Sequence, residues 1–144
     1  MKFFTIGYGG TDPGHLIKLL KEHGVEAVID VRLWPHRASM GSYVLAKTPE
    51  KGIQHLLTKE GIQYNSFIEL GNPFLQLDDW KDHYRQLLAS SGDLLTERLL
   101  KIPERCCLLC SEKQPEQCHR SIIAEFLIER GHQVEHLIAS TIGT

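Results

Sequence analysis

Apolar positions along the chain fall into short runs, separated by longer stretches with only one apolar side. Phe3-Phe4-Thr5-Ile6 is such a run, and it ends in Gly7-Tyr8-Gly9-Gly10, which predicts a strand entering a loop. Asp12-Pro13 then carries the signature of a helix start, an N-cap acceptor ahead of proline at the first helical position. From His15 to His23, Leu16, Ile17, Leu19 and Leu20 form the apolar side, and Gly24 closes the helix. Val25 to Val31 predicts a second strand, apolar almost without break until Asp30, as strands covered on both faces are.

Residues 33–49 lose the periodicity and hold Pro35, Gly41, Ser42 and Pro49, which predicts a long loop of the kind kept for function. A helix over Glu50–Glu60 and a weaker strand over Ile62–Phe67 follow, then a turn at Leu70-Gly71-Asn72-Pro73. Trp80–Ala89 and Leu94–Leu100 read as two helices broken by Ser90-Ser91-Gly92. Cys106–Cys110 is a buried strand, Cys118–Arg130 a helix stopped by Gly131, and Val134–Ile138 a last strand. Alternation of this kind predicts a single-domain, Rossmann-like three-layer α/β sandwich over residues 1–144, with a mostly parallel sheet of about five strands.

Composition changes this picture little. The chain of 144 residues is 42% hydrophobic and 24% charged, ordinary for one globular domain. Sixteen basic and 18 acidic residues leave a formal net charge of -2, which argues against a nucleic-acid or membrane partner. The start of the chain lacks a signal-peptide core, and no apolar run approaches the roughly 20 residues of a membrane span. All four cysteines fall between residues 106 and 118, which points to a reducing, cytoplasmic setting and a local site rather than a disulfide framework.

In an open parallel sheet, ligands bind beyond the carboxyl ends of the strands. The first strand ends in Gly7, Tyr8 and Gly9, the second in Asp30-Val31-Arg32 and the fourth in Cys110-Ser111-Glu112. The helix after the fourth strand opens with Cys118-His119-Arg120, so its free amides face the same edge. The glycines allow close approach of a ligand or serve a tight turn; the run lacks the last glycine of a dinucleotide fingerprint. Asp30 and Arg32 are either a base or sugar-binding carboxylate beside an anion-holding guanidinium, or a buried structural pair. The loop residues Trp34, His36, Arg37 and Tyr43 are candidates to cover a planar ligand.

Cys110, Glu112, Cys118 and His119 admit two chemistries. They could ligate a metal, although the spacing matches no zinc-finger pattern, and Cys107 and Cys110 face opposite sides of a strand. Alternatively, Cys110 or Cys118 is a reactive or reversibly oxidised thiol favoured by a helix N-terminus and nearby His119 or Arg120. The remaining histidines, at 15, 23, 55, 83, 132 and 136, stand singly and carry no chemistry in this reading.

Thr5-Ile6-Gly7-Tyr8, Asp30-Val31-Arg32 with Pro35, Tyr64 with Leu70-Gly71, and Leu109-Cys110-x-Glu112 with Cys118-His119-Arg120 resemble the domain-of-unknown-function 488 family. The resemblance runs in order from residue 3 to about 138, and Gly9 stands where the family pattern usually has a serine. It implies a prokaryotic α/β domain and names no reaction or cofactor. The residues leave three expectations: a small phosphorylated or nucleotide-like ligand at the strand ends, its anion held by Arg32 and Arg120 with Asp30 or Glu112 as acid or base; a metal-binding or thiol redox-sensing domain on Cys110, Cys118 and His119; and, against the net charge, a nucleic-acid-associated module.

Overall fold

The computed structural model describes residues 1–38 and 40–139; Ser39 and residues 140–144, part of the expected 1–144 domain, lie outside the described residues. In chain order the elements are β1 (Lys2–Gly7), α1 (Pro13–Glu22), β2 (Ala27–Asp30), α2 (Gly52–Thr58), β3 (Gln63–Ser66), α3 (Trp80–Leu95), α4 (Glu97–Leu100), β4 (Cys106–Cys110), α5 (Arg120–Glu129) and β5 (Gln133–Leu137). The five strands form one sheet in the order β3-β2-β4-β1-β5, and every pairing is parallel. This is the expected α/β sandwich.

The two faces of the sheet separate cleanly. Phe4, Ile6, Val28, Cys107 and Leu109 pack with Leu16, Ile17 and Leu20 of α1 and with Ile53, Leu56 and Leu57 of α2. Phe3, Ala27, Ile29, Cys106, Leu108 and Cys110 pack with Tyr84 and Leu88 of α3 and Ile122, Ile123 and Phe126 of α5. Alternate residues of one strand thus enter opposite cores, which is why these strands read as unbroken apolar runs. Helix α1 begins as its sequence predicts: the Asp12 side chain accepts from the His15 amide at 2.9 Å, with Pro13 at the first position.

The expected break at Ser90-Ser91-Gly92 is absent, and α3 runs through it to Leu95. Gly92 faces α5, where an added Cβ would come within 2.2 Å of the Phe126 ring. The glycine is there for helix-to-helix approach, and tertiary packing overrides its weak helix propensity.

Adjacent strands β1 and β4 send their following helices to opposite faces, α1 to one core and α5 to the other. Their outgoing loops diverge at the carboxyl edge, and such a switch point opens a crevice. Register holds Gly7 beside Cys110 and Asp30 beside Leu109, so three strand ends finish level with one another.

Candidate functional site

The crevice is an open cavity of about 1040 Å³ at this carboxyl edge. Tyr8 and Gly9 after β1, Arg32 to Trp34 with Arg37 and Ala38 after β2, Cys110 to Glu112 at the end of β4, and His119 before α5 line it, facing the segment 72–77. The ladder extends past the strands to hold these loops, with the Tyr8 amide on the Cys110 carbonyl at 3.1 Å and the Gly9 amide on Ser111 at 2.8 Å. Of the residues singled out from sequence, Tyr8, Gly9, Arg32, Arg37, Cys110, Glu112 and His119 line the cavity. Gly7, Asp30, Cys118 and Arg120 stand behind that wall.

Asp30 is fully buried, and its carboxylate meets four donors. The Arg32 amide and Nε donate to Oδ1 at 3.1 and 2.8 Å, and Arg32 Nη2 and the Tyr64 hydroxyl donate to Oδ2 at 2.6 and 2.5 Å. Burial works against the Arg32 charge, but the Asp30 carboxylate outweighs it and leaves the guanidinium firmly protonated. Arg32 Nη1 donates to the Tyr8 hydroxyl at 3.0 Å, so this pair also ties the loop after β1 to the end of β2.

Arg120 is buried without a carboxylate at ion-pairing distance among the described residues. Its Nη1 donates to Cys110 Sγ at 2.9 Å and to the Glu112 carbonyl at 2.6 Å, Nη2 to the Lys113 carbonyl at 2.9 Å, and Nε to Thr5 Oγ1 at 3.2 Å. Burial pulls this guanidinium down to about 10, which still leaves it charged at neutral pH. Gly7 makes the arrangement possible, because a Cβ there would sit 1.6 Å from the Glu112 carbonyl oxygen.

Cys110 and Cys118 are joined as a disulfide across a separation of 8 residues. Around it, Glu112 Oε2 lies 3.6 Å from Cys110 Sγ, the Arg120 amide donates to Cys118 Sγ at 3.5 Å, and His119 Nδ1 lies 3.6 Å from Cys118 Sγ. His119 Nε2 faces the Val31 carbonyl at 2.8 Å and must carry the proton to bond there, which leaves Nδ1 unprotonated towards the sulfur. Burial lowers the His119 pKa and keeps the ring neutral. Ligand atoms of Cys110, Glu112 and Cys118 lie within 4.8 Å of one another, a set that could also hold a metal.

Two features escaped the sequence reading. Asn72 lines the cavity at 7% exposure; its Oδ1 accepts from the Phe74 amide at 2.9 Å, while Nδ2 has no partner among the described residues. Its position in a Gly71-Asn72-Pro73 turn gave only a turn signal. Tyr43, read with the covering loop, is instead core: its ring stacks on Tyr8 and its hydroxyl donates to the Thr11 carbonyl at 2.6 Å. Trp34 does stand out from the surface, 53% exposed, with the Arg37 guanidinium 4.6 Å from its ring centre.

The fold and its strand-end crevice define a small Rossmann-like α/β domain. Residues 13–127 match the family model described as "Domain of unknown function DUF488", and the chain belongs to that family. No curated protein and no solved structure matches the chain. Among the described residues, no helix is long and apolar enough to cross a membrane.

Proposed function

We propose that the protein binds a small phosphorylated or nucleotide-like anion in the strand-end crevice, as a binding domain or as an enzyme reacting at its Cys110 side. The Asn72 amide carries this reading, being buried, cavity-lining and without an acceptor for Nδ2 among the described residues. An unmet buried donor costs about 1–3 kcal/mol, and an anionic oxygen of a ligand would remove that cost. Arg37 supports the same reading. It is an exposed cavity-lining cation that pairs with no carboxylate among the described residues, and it lies over the exposed Trp34, an aromatic ring of the kind that stacks on a planar group.

The formal net charge of -2 favours a small ligand over a nucleic-acid chain, which needs an extended row of basic contacts. A cytoplasmic setting belongs to the proposal: Cys106 and Cys107 are free thiols, and the one disulfide is local rather than a staple between distant loops.

Thermal unfolding against a panel of nucleotides and sugar phosphates tests this. A ligand at 100 times its Kd adds about 2.7 kcal/mol, which for a chain this size raises Tm by roughly 5–11 °C. The rise should be lost in Arg37→Ala and Asn72→Ala, which leave the Asp30–Arg32 pair intact. A panel with no response, or variants that respond like the parent, would refute it.

A further inference from the structure

We propose that Cys110 and Cys118 form a dithiol–disulfide exchange centre, in which Cys110 attacks a low-molecular-weight disulfide and Cys118 resolves the mixed product. This goes beyond anion binding and does not require it.

The geometry favours exchange over metal binding at the same sulfurs. A metal ion on Cys110, Glu112 and Cys118 would sit beside the buried Arg120 guanidinium, whose Nη1 is 2.9 Å from Cys110 Sγ. That guanidinium has carbonyls, a hydroxyl and sulfur as its hydrogen-bond partners, while the Glu112 and Glu116 carboxylates favour its charge without bonding to it, so a thiolate on Cys110 is the anion it would bond directly. A second cation there meets repulsion, whereas a thiolate meets a charge-assisted donor. Cys118 is placed differently: the Arg120 amide is directed at its sulfur, but the unprotonated His119 Nδ1 also faces it and accepts the proton of a Cys118 thiol. Stabilising the Cys110 thiolate stabilises the reduced form, and a disulfide whose reduced form is stabilised is readily reduced. The pair is therefore a reversible couple and not a structural staple.

The two cysteines are not equivalent. Both are buried, at 1% and 2% exposure, but Cys110 is in the cavity wall and Cys118 is not, so Cys110 is the sulfur a substrate in the crevice reaches when that wall opens. In the first step the Cys110 thiolate forms a bond to one sulfur of the small disulfide R–S–S–R, whose own S–S bond breaks to release RS⁻. In the second, the Cys118 sulfur bonds to Cys110 Sγ and releases the other RS⁻. The protons lost by the two cysteines end on the two released thiols. Two protein thiols are oxidised to one disulfide and R–S–S–R is reduced to two RSH, with no other reactant. The reverse sequence reduces the protein.

The test equilibrates the full chain in glutathione buffers of graded oxidised-to-reduced ratio, followed by acid quench, alkylation and mass analysis. A Cys110–Cys118 disulfide that interconverts across the series, with Cys106 and Cys107 reduced throughout, is the expected result. Cys118→Ser should accumulate a glutathione adduct on Cys110, and Cys110→Ser should lose the adduct. Arg120→Lys, checked for folding by circular dichroism, should slow adduct formation on the Cys118→Ser background. Four free thiols at every ratio, equal adducts on both single variants, or stoichiometric zinc on protein purified under reduction would each overturn the proposal. None of these readouts depends on whether nucleotides bind.

Discussion

Arg32 grips the Asp30 carboxylate two residues behind it by Nε and Nη2 at 2.8 and 2.6 Å, and its own backbone amide adds a third bond. With the Tyr64 hydroxyl as fourth donor, the roughly four lone-pair positions of the carboxylate are all taken. Asp30 therefore positions Arg32 and joins the end of β2 to β3, and no free oxygen remains on it to take a proton from a ligand.

Removing one partner of such a pair strands the other. Asp30→Ala should cost about 3–5 kcal/mol of stability, because it leaves the Arg32 charge buried and uncompensated. Asp30→Ala combined with Arg32→Met should recover much of that loss. Urea unfolding of the three proteins measures it, and equal destabilisation in the single and double variants would contradict the pairing.

Gly7 and Gly10 make a second contrast, three residues apart. At Gly7 a Cβ would collide with the Glu112 carbonyl and come within 2.9 Å of the Arg120 Nη1 that donates to it. At Gly10 a Cβ meets open space, but φ is +70°. Gly10→Ala should cost only the roughly 1–2 kcal/mol of a left-handed L-residue. Gly7→Ala must displace a backbone segment, so it should cost more and also abolish any ligand-dependent rise in Tm. Thermal unfolding with and without ligand separates the two, and equal costs would refute the close-approach account.

The sheet was legible because both of its faces are buried, which writes each strand as an unbroken apolar run, Cys106–Cys110 most plainly. The edge was legible too, since polar residues ending apolar strands collect there by topology alone. What the sequence could not convey was side-chain direction. Arg120 stands in a motif beside two cysteines and invites an anion-binding role, yet its guanidinium turns inward to the Glu112 and Lys113 carbonyls. Arg37, in a stretch without periodicity, lines the cavity without a carboxylate partner among the described residues, whereas Arg32 beside it is paired with Asp30. Gly92 shows the same limit, because a contact with Phe126 from another helix has no local signature.

Cys106 and Cys107 provide an internal control for the reactivity of their neighbours. Burial pushes the Cys106 thiol up to about 11 and Cys107 further still, so neither forms appreciable thiolate at neutral pH. In the folded, reduced protein both should resist alkylation at pH 7.5, and both should react once denaturant is added. Counting labelled thiols by mass before and after unfolding checks this, and rapid native labelling of Cys107 would contradict the packing of β4.

His119 sets an expected pH dependence. Burial lowers its pKa first, with Arg120 adding in the same direction, against opposing contributions from the Val31 carbonyl and Glu112. Its folded pKa therefore lies below the value of about 6.5 expected in the unfolded chain. As pH falls below that unfolded value, the unfolded state takes up a proton that the folded state refuses, so stability falls with pH until the folded pKa is passed. Half-buried His136 is shifted in the same sense and adds to the effect. The depressed carboxylates Asp12, Glu60, Glu69 and Asp93 lose stability only at lower pH, so the window from 7.5 to 5 belongs to the histidines. Each proton contributes a slope of at most about 1.4 kcal/mol per pH unit. His119→Gln removes one of the two and should flatten the curve between pH 7.5 and 5 while lowering stability at every pH. A variant curve parallel to the parent's would mean that His119 titrates alike in the folded and unfolded protein, so that burial does not hold its ring neutral.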